Sequence, residues 1–291
     1  MKNNQKNTSF NDGIDATENK SSYDAACKRL LSEKIVLAWI LKTCTKEFKD
    51  FDIRLIMSCI DNDIQVALRP LHRDGIMPIV QGIGTEDSTI NEGKITYDIR
   101  FKVTVPSTGE KIEMIINIEA QNVFNPGYPL IKRGIFYTGR MLSAQYGTEF
   151  KKYEYDKVKK VYSIWVVMNP PKERFNTISK YEIKEEMMVG SAPLPSHDYD
   201  LLTVVMICLG DTKGSEENPI LKLLGTLLAN KLSKDEKKKV LTEEYDIEMT
   251  ETMEDEVETM CNLSQGLVME GRLEGKLEGK EDKTNEIIKR C

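Results

Sequence analysis

The sequence predicts an α/β fold, and three observations carry that prediction. Residues 94–105 alternate polar and apolar side chains with strict period two. After a stretch of turn residues, 111–121 alternate again. Apolar runs at Val161–Met168 and Leu201–Leu209 then read as buried strands, and a segment of helical periodicity lies between the first pair of strands and these two.

A chain of 291 residues suits one large domain with appendages or two modest ones, and it can bury a substantial core. With 40% apolar and 30% charged residues, a soluble globular protein is expected. Acids outnumber bases 47 to 41, so the formal charge is −6 and a generally basic coat is excluded. Any contact with nucleic acid then has to use a local patch. Two histidines, His72 and His197, are too few for a His-rich metal site, and they read as surface or loop residues. The six cysteines form no CxxC pair and read as reduced thiols of a cytoplasmic protein, with Cys44 a buried, inert one. The polar N-terminus has no secretory apolar core, and the longest apolar run, Ile35–Leu41, is too short to span a bilayer, so no membrane is expected.

Residues 1–22 are rich in Asn, Ser, Asp and Lys, and the composition predicts disorder. Helical spacing runs from Leu30 to Asp50 and places Glu33, Leu37, Ile40, Cys44 and Glu47 on one face. A shorter helix is expected over Ile53–Ile60, and a short strand at Met77–Gln81. In 94–105 the apolar side is Ile95, Tyr97, Ile99, Phe101, Val103 and Val105, read as one buried face. Pro106–Glu110 has turn chemistry, and Ile112, Met114, Ile116 and Ile118 continue the apolar side in a β-hairpin. Ile115 is the apolar exception on the polar side. Asn125–Pro129 breaks the chain. A helix is expected from Leu130 to about Tyr146, strands at 161–168 and 201–209, a loop at 210–218, and a helix over Ile220–Leu232. Trp39 and Trp165 sit in apolar runs and read as core.

Placing Thr108 and Gly109 at the turn centre pairs Val103 with Met114, Phe101 with Ile116, and Ile99 with Ile118. Every apolar residue then meets another, which supports the register. The same register sets Asp98 opposite Glu119, with Gln121 two residues further on the same side. Facing carboxylates repel and raise each other's pKa. A divalent cation removes the conflict. Oxygen ligands and scarce histidine favour Mg²⁺ or Mn²⁺, which can polarise a phosphoryl oxygen and acidify bound water. The competing reading is a solvated acidic face neutralised by Arg100 and Lys102.

The runs Gly93–Phe101 and Ile115–Gln121 resemble the core of PD-(D/E)XK nuclease family transposases, relatives of recombination-promoting nucleases. The resemblance continues through Pro126–Tyr128, Arg133–Tyr137, Arg140–Gln145 and Lys160–Trp165, and covers about residues 30–265. It implies a restriction-endonuclease-like core, with a mixed sheet flanked by helices and a helical C-terminal extension. It also implies magnesium-dependent cleavage of DNA phosphodiesters by a hydrolase associated with recombination and mobile elements. Asp98 matches the motif aspartate and Glu119 the motif glutamate, both as catalytic and metal-binding residues. Gln121 stands where the superfamily commonly has lysine. It can orient water but brings no charge, and a charge-assisted bond is roughly twice as strong as a neutral one. Tyr97 precedes Asp98 where proline is usual. A first-helix glutamate often approaches the metal in this superfamily, which makes Glu33 or Glu47 a candidate.

Arg133, Tyr137 and Arg140 recur at helical spacing and are the expected nucleic-acid contacts, with Gln145 farther along orienting the site or capping the helix. Residues 91–160 carry twelve bases and eight acids, opposite in sign to the whole chain. The organisation expected is a disordered 1–22, a nuclease-like domain over 23–210, a helical region over 211–265 and a Gly/Glu/Lys tail over 266–291. Residues 242–261 hold nine acids and no base, and read as a charged helix outside the core or a DNA-mimicking guard. The tail repeats glycine at 271, 275 and 279, which suits either self-association into a homo-oligomer or disorder. The rival to a DNA endonuclease is a nuclease fold with weak or lost activity that binds nucleic acid or self-associates. RNA is the alternative substrate.

Overall fold

The computed structural model describes residues 21–67, 86–89, 93–106, 112–210, 218–228 and 232–263. The expectations for 1–20, 77–81, the turn at 107–110, the loop at 211–217, His72 and the tail lie outside these residues. The chain divides into two compact units. One comprises 28–68 and 76–226, and the other 1–27, 69–75 and 227–291.

Helix α1 covers 21–32, and α2 follows at Lys34–Cys44. The helical stretch expected from Leu30 to Asp50 is therefore two shorter pieces. Glu33 becomes the N-terminal boundary of α2, and Glu47 lies in a turn beyond its end. Buried Val36, Leu37, Ile40, Leu41 and Cys44 form the inward stripe of α2. Burial pushes the Cys44 thiol up to about 12, which keeps it protonated and inert. Trp39 is half-buried, less enclosed than its apolar surroundings suggest, whereas Trp165 is fully buried. Helix α3, Ile53–Cys59, starts on Asp52, whose carboxylate accepts the Leu55 amide.

The larger unit is α/β, with a mixed six-stranded sheet. In chain order its strands are β1 (Gln65–Val66), β4 (Ile99–Val105), β5 (Ile112–Val123), β6 (Lys160–Asn169), β7 (Thr177–Glu182) and β8 (Leu202–Cys208). Their spatial order is β1-β4-β5-β6-β8-β7. Strand β5 pairs antiparallel with β4 and parallel with β6, β6 runs parallel to β8, and β7 closes the edge antiparallel to β8. Two further strands, β2 (Glu86–Thr89) and β3 (Gly93–Thr96), form their own antiparallel ladder. Sequence periodicity did not mark β1, β2 or β7, which are short or lack a regular apolar face.

The β4–β5 register matches the expectation: Ile99 meets Ile118, Phe101 meets Ile116, and Val103 meets Met114. Two features differ. The long alternating segment is not one strand, because it breaks at Tyr97–Asp98, where β3 leaves for β2 and β4 begins. Tyr97 then packs with Ile115, Tyr137 and Trp165, on the sheet face opposite to Ile99. Continued alternation would have put Tyr97 and Ile99 on the same face. Nor is the hairpin solvated on one side, since Ile115, Asn117 and Glu119 are as buried as Met114, Ile116 and Ile118.

Helix α4, Leu130–Ser143, covers that second face. It approaches closely because Gly134 has no side chain: a Cβ there would lie 2.8 Å from Val204 Cγ1 and 3.2 Å from the Trp165 ring nitrogen. Helix α5, Pro219–Leu228, follows the sheet in sequence.

In the other unit, α6 (Lys234–Tyr245) opens with a reciprocal capping box between Ser233 and Glu236. A further helix, α7, spans 251–263 and turns Met253, Val257 and Met260 inward. Two of its acids pair with lysines of α6: Glu258 with Lys234, and Glu254 with Lys238. The acidic stretch 242–261 is therefore not one helix but the end of α6, a non-helical 246–250 and most of α7.

Candidate active site

The break before β4 and the middle of β5 bring Asp98 and Glu119 together. The two interlock through the backbone. Glu119 Oε1 accepts the Asp98 amide at 3.1 Å, and Asp98 Oδ2 accepts the Ala120 amide at 3.0 Å. Each acid therefore fixes the backbone carrying the other. Glu119 is 3% exposed, under α4, while Asp98 lies nearer the surface.

Their charge environments differ. Lys28, from α1, places Nζ 2.8 Å from Asp98 Oδ1, and this pair is largely shielded from water. Glu119 Oε2 lies farther from its cation, 4.0 Å from the Arg133 guanidinium. Burial, then the neighbouring Asp98 carboxylate, holds Glu119 well above the usual carboxylate range. The Asp98 amide, the Arg133 guanidinium and the Asn117 amide oppose this without overcoming it. Asn117 is itself fully buried and donates to Ser163 Oγ at 3.1 Å, and Ser163 also accepts the Trp165 ring N–H at 2.9 Å.

The other expected site residues are placed as follows. Gln121 is partly exposed, and its amide nitrogen donates to Val123 O at 3.0 Å rather than to either acid. Arg133 is held by Tyr137 Oη at 2.7 Å and Tyr128 Oη at 3.0 Å, with its guanidinium about 5 Å from the ring centroids of Tyr137 and Trp165. Arg133, Tyr137 and Arg140 do share a face, but it is the face α4 turns to the sheet. Arg140 is 5% exposed and Tyr137 8%, so neither offers an open surface to a phosphate. The outward face of α4 shows Ile135 and Phe136 instead. Gln145 is also buried. Its carboxamide accepts the Lys159 amide and donates to the Lys159 carbonyl, pinning the chain ahead of β6. Of the four residues expected to contact nucleic acid, Arg133 alone stands beside the acids with part of its side chain accessible.

Glu47 belongs to a different cluster. It accepts hydrogen bonds from Lys160 Nζ at 3.1 Å and Tyr162 Oη at 2.6 Å, and Lys160 also bonds Asp200 at 2.7 Å. Lys46 completes the network on Asp200. His197 is exposed beside Asp198.

Sequence reasoning missed Lys28. Its signal is a lysine three residues before buried Leu31, on a helix whose other inward positions, Cys27 and Leu30, are apolar.

The pair Asp98–Glu119 suits a hard divalent cation in donor type, since Mg²⁺ is commonly held by one or two carboxylates plus waters and substrate phosphates. Burial first, and the Asp98 carboxylate second, raise Glu119, and a bound divalent cation would oppose both. Among the described residues there is no group of three or more His, Cys, Asp and Glu arranged for a metal, so the donor set is these two acids. Nor is any helix among them long and apolar enough to cross a membrane.

No family model matches the chain, and neither a curated protein nor a solved structure matches it.

Proposed function

We propose that this chain is a magnesium-dependent DNA endonuclease of the PD-(D/E)XK type, related to the nuclease family transposases it resembles and acting in the cytoplasm. The observation that carries the reading is the interlocked pair of Asp98, just before β4, and Glu119, within β5, with Glu119 buried and held well above the usual carboxylate range. Strongly perturbed carboxylates in specific charge pairs concentrate at functional sites. In the proposed reaction Asp98 and Glu119 hold Mg²⁺ or Mn²⁺, Arg133 holds a phosphate oxygen, and Gln121 orients the attacking water after releasing Val123 O. When bound, the ion supplies Lewis-acid stabilisation of the developing phosphorane charge and a more acidic water.

The test is nicking of supercoiled DNA in Mg²⁺ by wild type, Asp98→Ala and Glu119→Ala. Cleavage by wild type and a loss of at least ~10²-fold in both variants is expected. Equal cleavage by all three rejects the site.

One observation favours a second reading, a nuclease-like fold that binds nucleic acid without cutting it. Gln121 is uncharged and its amide is committed to Val123 O. Retained DNA binding with no cleavage in Mg²⁺ or Mn²⁺ would select this alternative.

A further inference from the structure

If the nuclease reading holds, the site lacks positive charge at position 121, and the geometry points to where that charge has gone. Lys28 reaches Asp98 from α1, a separate part of the chain, with Nζ 2.8 Å from Oδ1. Its side chain is only 7% exposed and its ammonium also lies 3.4 Å from the Ala67 carbonyl. Ala67 in turn donates its amide to the Asp98 carbonyl at 2.8 Å, so Lys28 and the backbone of Asp98 are tied through one residue. A long cation enclosed this way is fixed by its surroundings, unlike a surface lysine that samples many rotamers.

We propose that Lys28 is the built-in counter-ion of the acid pair: it competes with a divalent cation for Asp98 and makes cation binding depend on the substrate phosphate. The charges support this. Asp98 and Glu119 contribute two negative charges when ionised, and Lys28 and Arg133 contribute two positive ones. Among these four groups the charges balance, leaving no excess negative charge to attract Mg²⁺. An incoming phosphodiester adds negative charge and pairs with the partly accessible Arg133, which tips the competition for Asp98 from the Lys28 ammonium towards the ion. Cation and DNA then each raise the other's affinity by the same factor. Lys28 is a positioning residue for Asp98, acting on the substrate only through that carboxylate.

The signature is a pair of effects with opposite signs. Removing the ammonium strengthens cation binding in the absence of DNA and weakens action on DNA, whereas a purely structural lysine would weaken both. Calorimetric titration of MgCl₂ into the full chain, without DNA, is expected to give roughly tenfold or greater tighter binding for Lys28→Met than for wild type. Lys28→Arg, which keeps the charge, is expected to stay near wild type. Cleavage at saturating Mg²⁺ is expected to fall at least ~10²-fold in Lys28→Met. Circular dichroism establishes that the variants are folded. Should Lys28→Met not fold, wild type decides alone: Mg²⁺ affinity is expected to rise at least tenfold when a non-cleavable phosphorothioate duplex is present.

Unchanged or weaker Mg²⁺ binding in folded Lys28→Met overturns the proposal, as does wild-type Mg²⁺ affinity that ignores the duplex. Tighter Mg²⁺ binding with undiminished cleavage overturns the catalytic half. If wild type cuts no DNA while the affinity shift is found, the nuclease reading falls and the counter-ion role stands. Robust cleavage dependent on Asp98 without any affinity shift removes Lys28 and leaves the nuclease.

Discussion

Two buried acid clusters in the same unit are built from the same residue types, yet they are electrostatically unlike. At one, Asp200 is bonded by both Lys160 and Lys46. Burial pushes its carboxyl up, but those bonds outweigh burial and hold it below the usual carboxylate range. Lys160 also serves Glu47. At the other, Glu119 has a carboxylate neighbour in Asp98 and its nearest guanidinium 4.0 Å away, and it sits well above the usual range. The first cluster is compensated and ties strand starts and turns together. At the second, burial of Glu119 outweighs a guanidinium that stands 4.0 Å away. Acids satisfied by close cations act as structural ties, whereas a buried, strongly perturbed carboxylate pair is the kind of group that the proposed function rests on.

The largest effect that would break this contrast comes from Lys160→Met. It strips the shared cation from Glu47 and Asp200, and the variant is expected to lose about 3 kcal/mol in urea unfolding. A loss well under 1 kcal/mol would show that the network is not the structural one. Gly134→Ala is expected to cost about 1–3 kcal/mol, because its Cβ meets Val204 and Trp165 and lifts α4 off the sheet. The same lift lets water reach Glu119 and lowers its pKa, measurable by carboxyl NMR.

Smaller still is Glu119→Gln, and it has the opposite sign. Without a cation the variant is expected to be more stable than wild type at pH 7, by about 1–2 kcal/mol. The folded protein holds the Glu119 proton more tightly than the unfolded chain does. Its stability therefore falls as pH rises from the unfolded carboxylate value through the raised folded one, and the gain from Gln fades below that window. For Asp200 the order is reversed: its contribution is complete above the unfolded value and is lost as pH falls through the depressed folded one. Melting temperatures from pH 2 to 8 should therefore show the advantage of Glu119→Gln growing as pH rises, whereas the deficit of Asp200→Asn stays constant above pH 3.8 and shrinks only below it. The smallest effect is Lys157→Ala, which removes an exposed pair with Glu154 and should leave the melting temperature unmoved.

The hairpin register could be read from sequence because each apolar residue of β4 has one partner of the right kind on β5, and a slip of one residue would expose them all. Asp98 and Glu119 followed from the same arithmetic. The break at Tyr97 could not be read, since the alternation runs on through it and the change of face depends on Tyr97 finding Tyr137. The helix α4 stripe was found, but its direction was misjudged. Arginines on a helix are ordinarily outside, and here Arg133 lies against Trp165 while Ile135 and Phe136 face out. Lys28 lay beyond pattern reasoning for a different reason: its partner is 70 residues away, and no local spacing encodes that distance.

The two neighbours of β5 also set an order of assembly. Its antiparallel ladder with β4 closes a short loop, whereas its parallel ladder with β6 must wait for the whole of α4 to be crossed. Short closures form first. Asp98 and Glu119 should thus meet in a hydrated nascent ribbon, and the dehydration of Glu119 should come late, when α4 docks. The kinetic corollary is that Glu119→Gln slows unfolding while leaving the refolding rate nearly untouched, a φ-value close to zero measurable by stopped-flow chevrons.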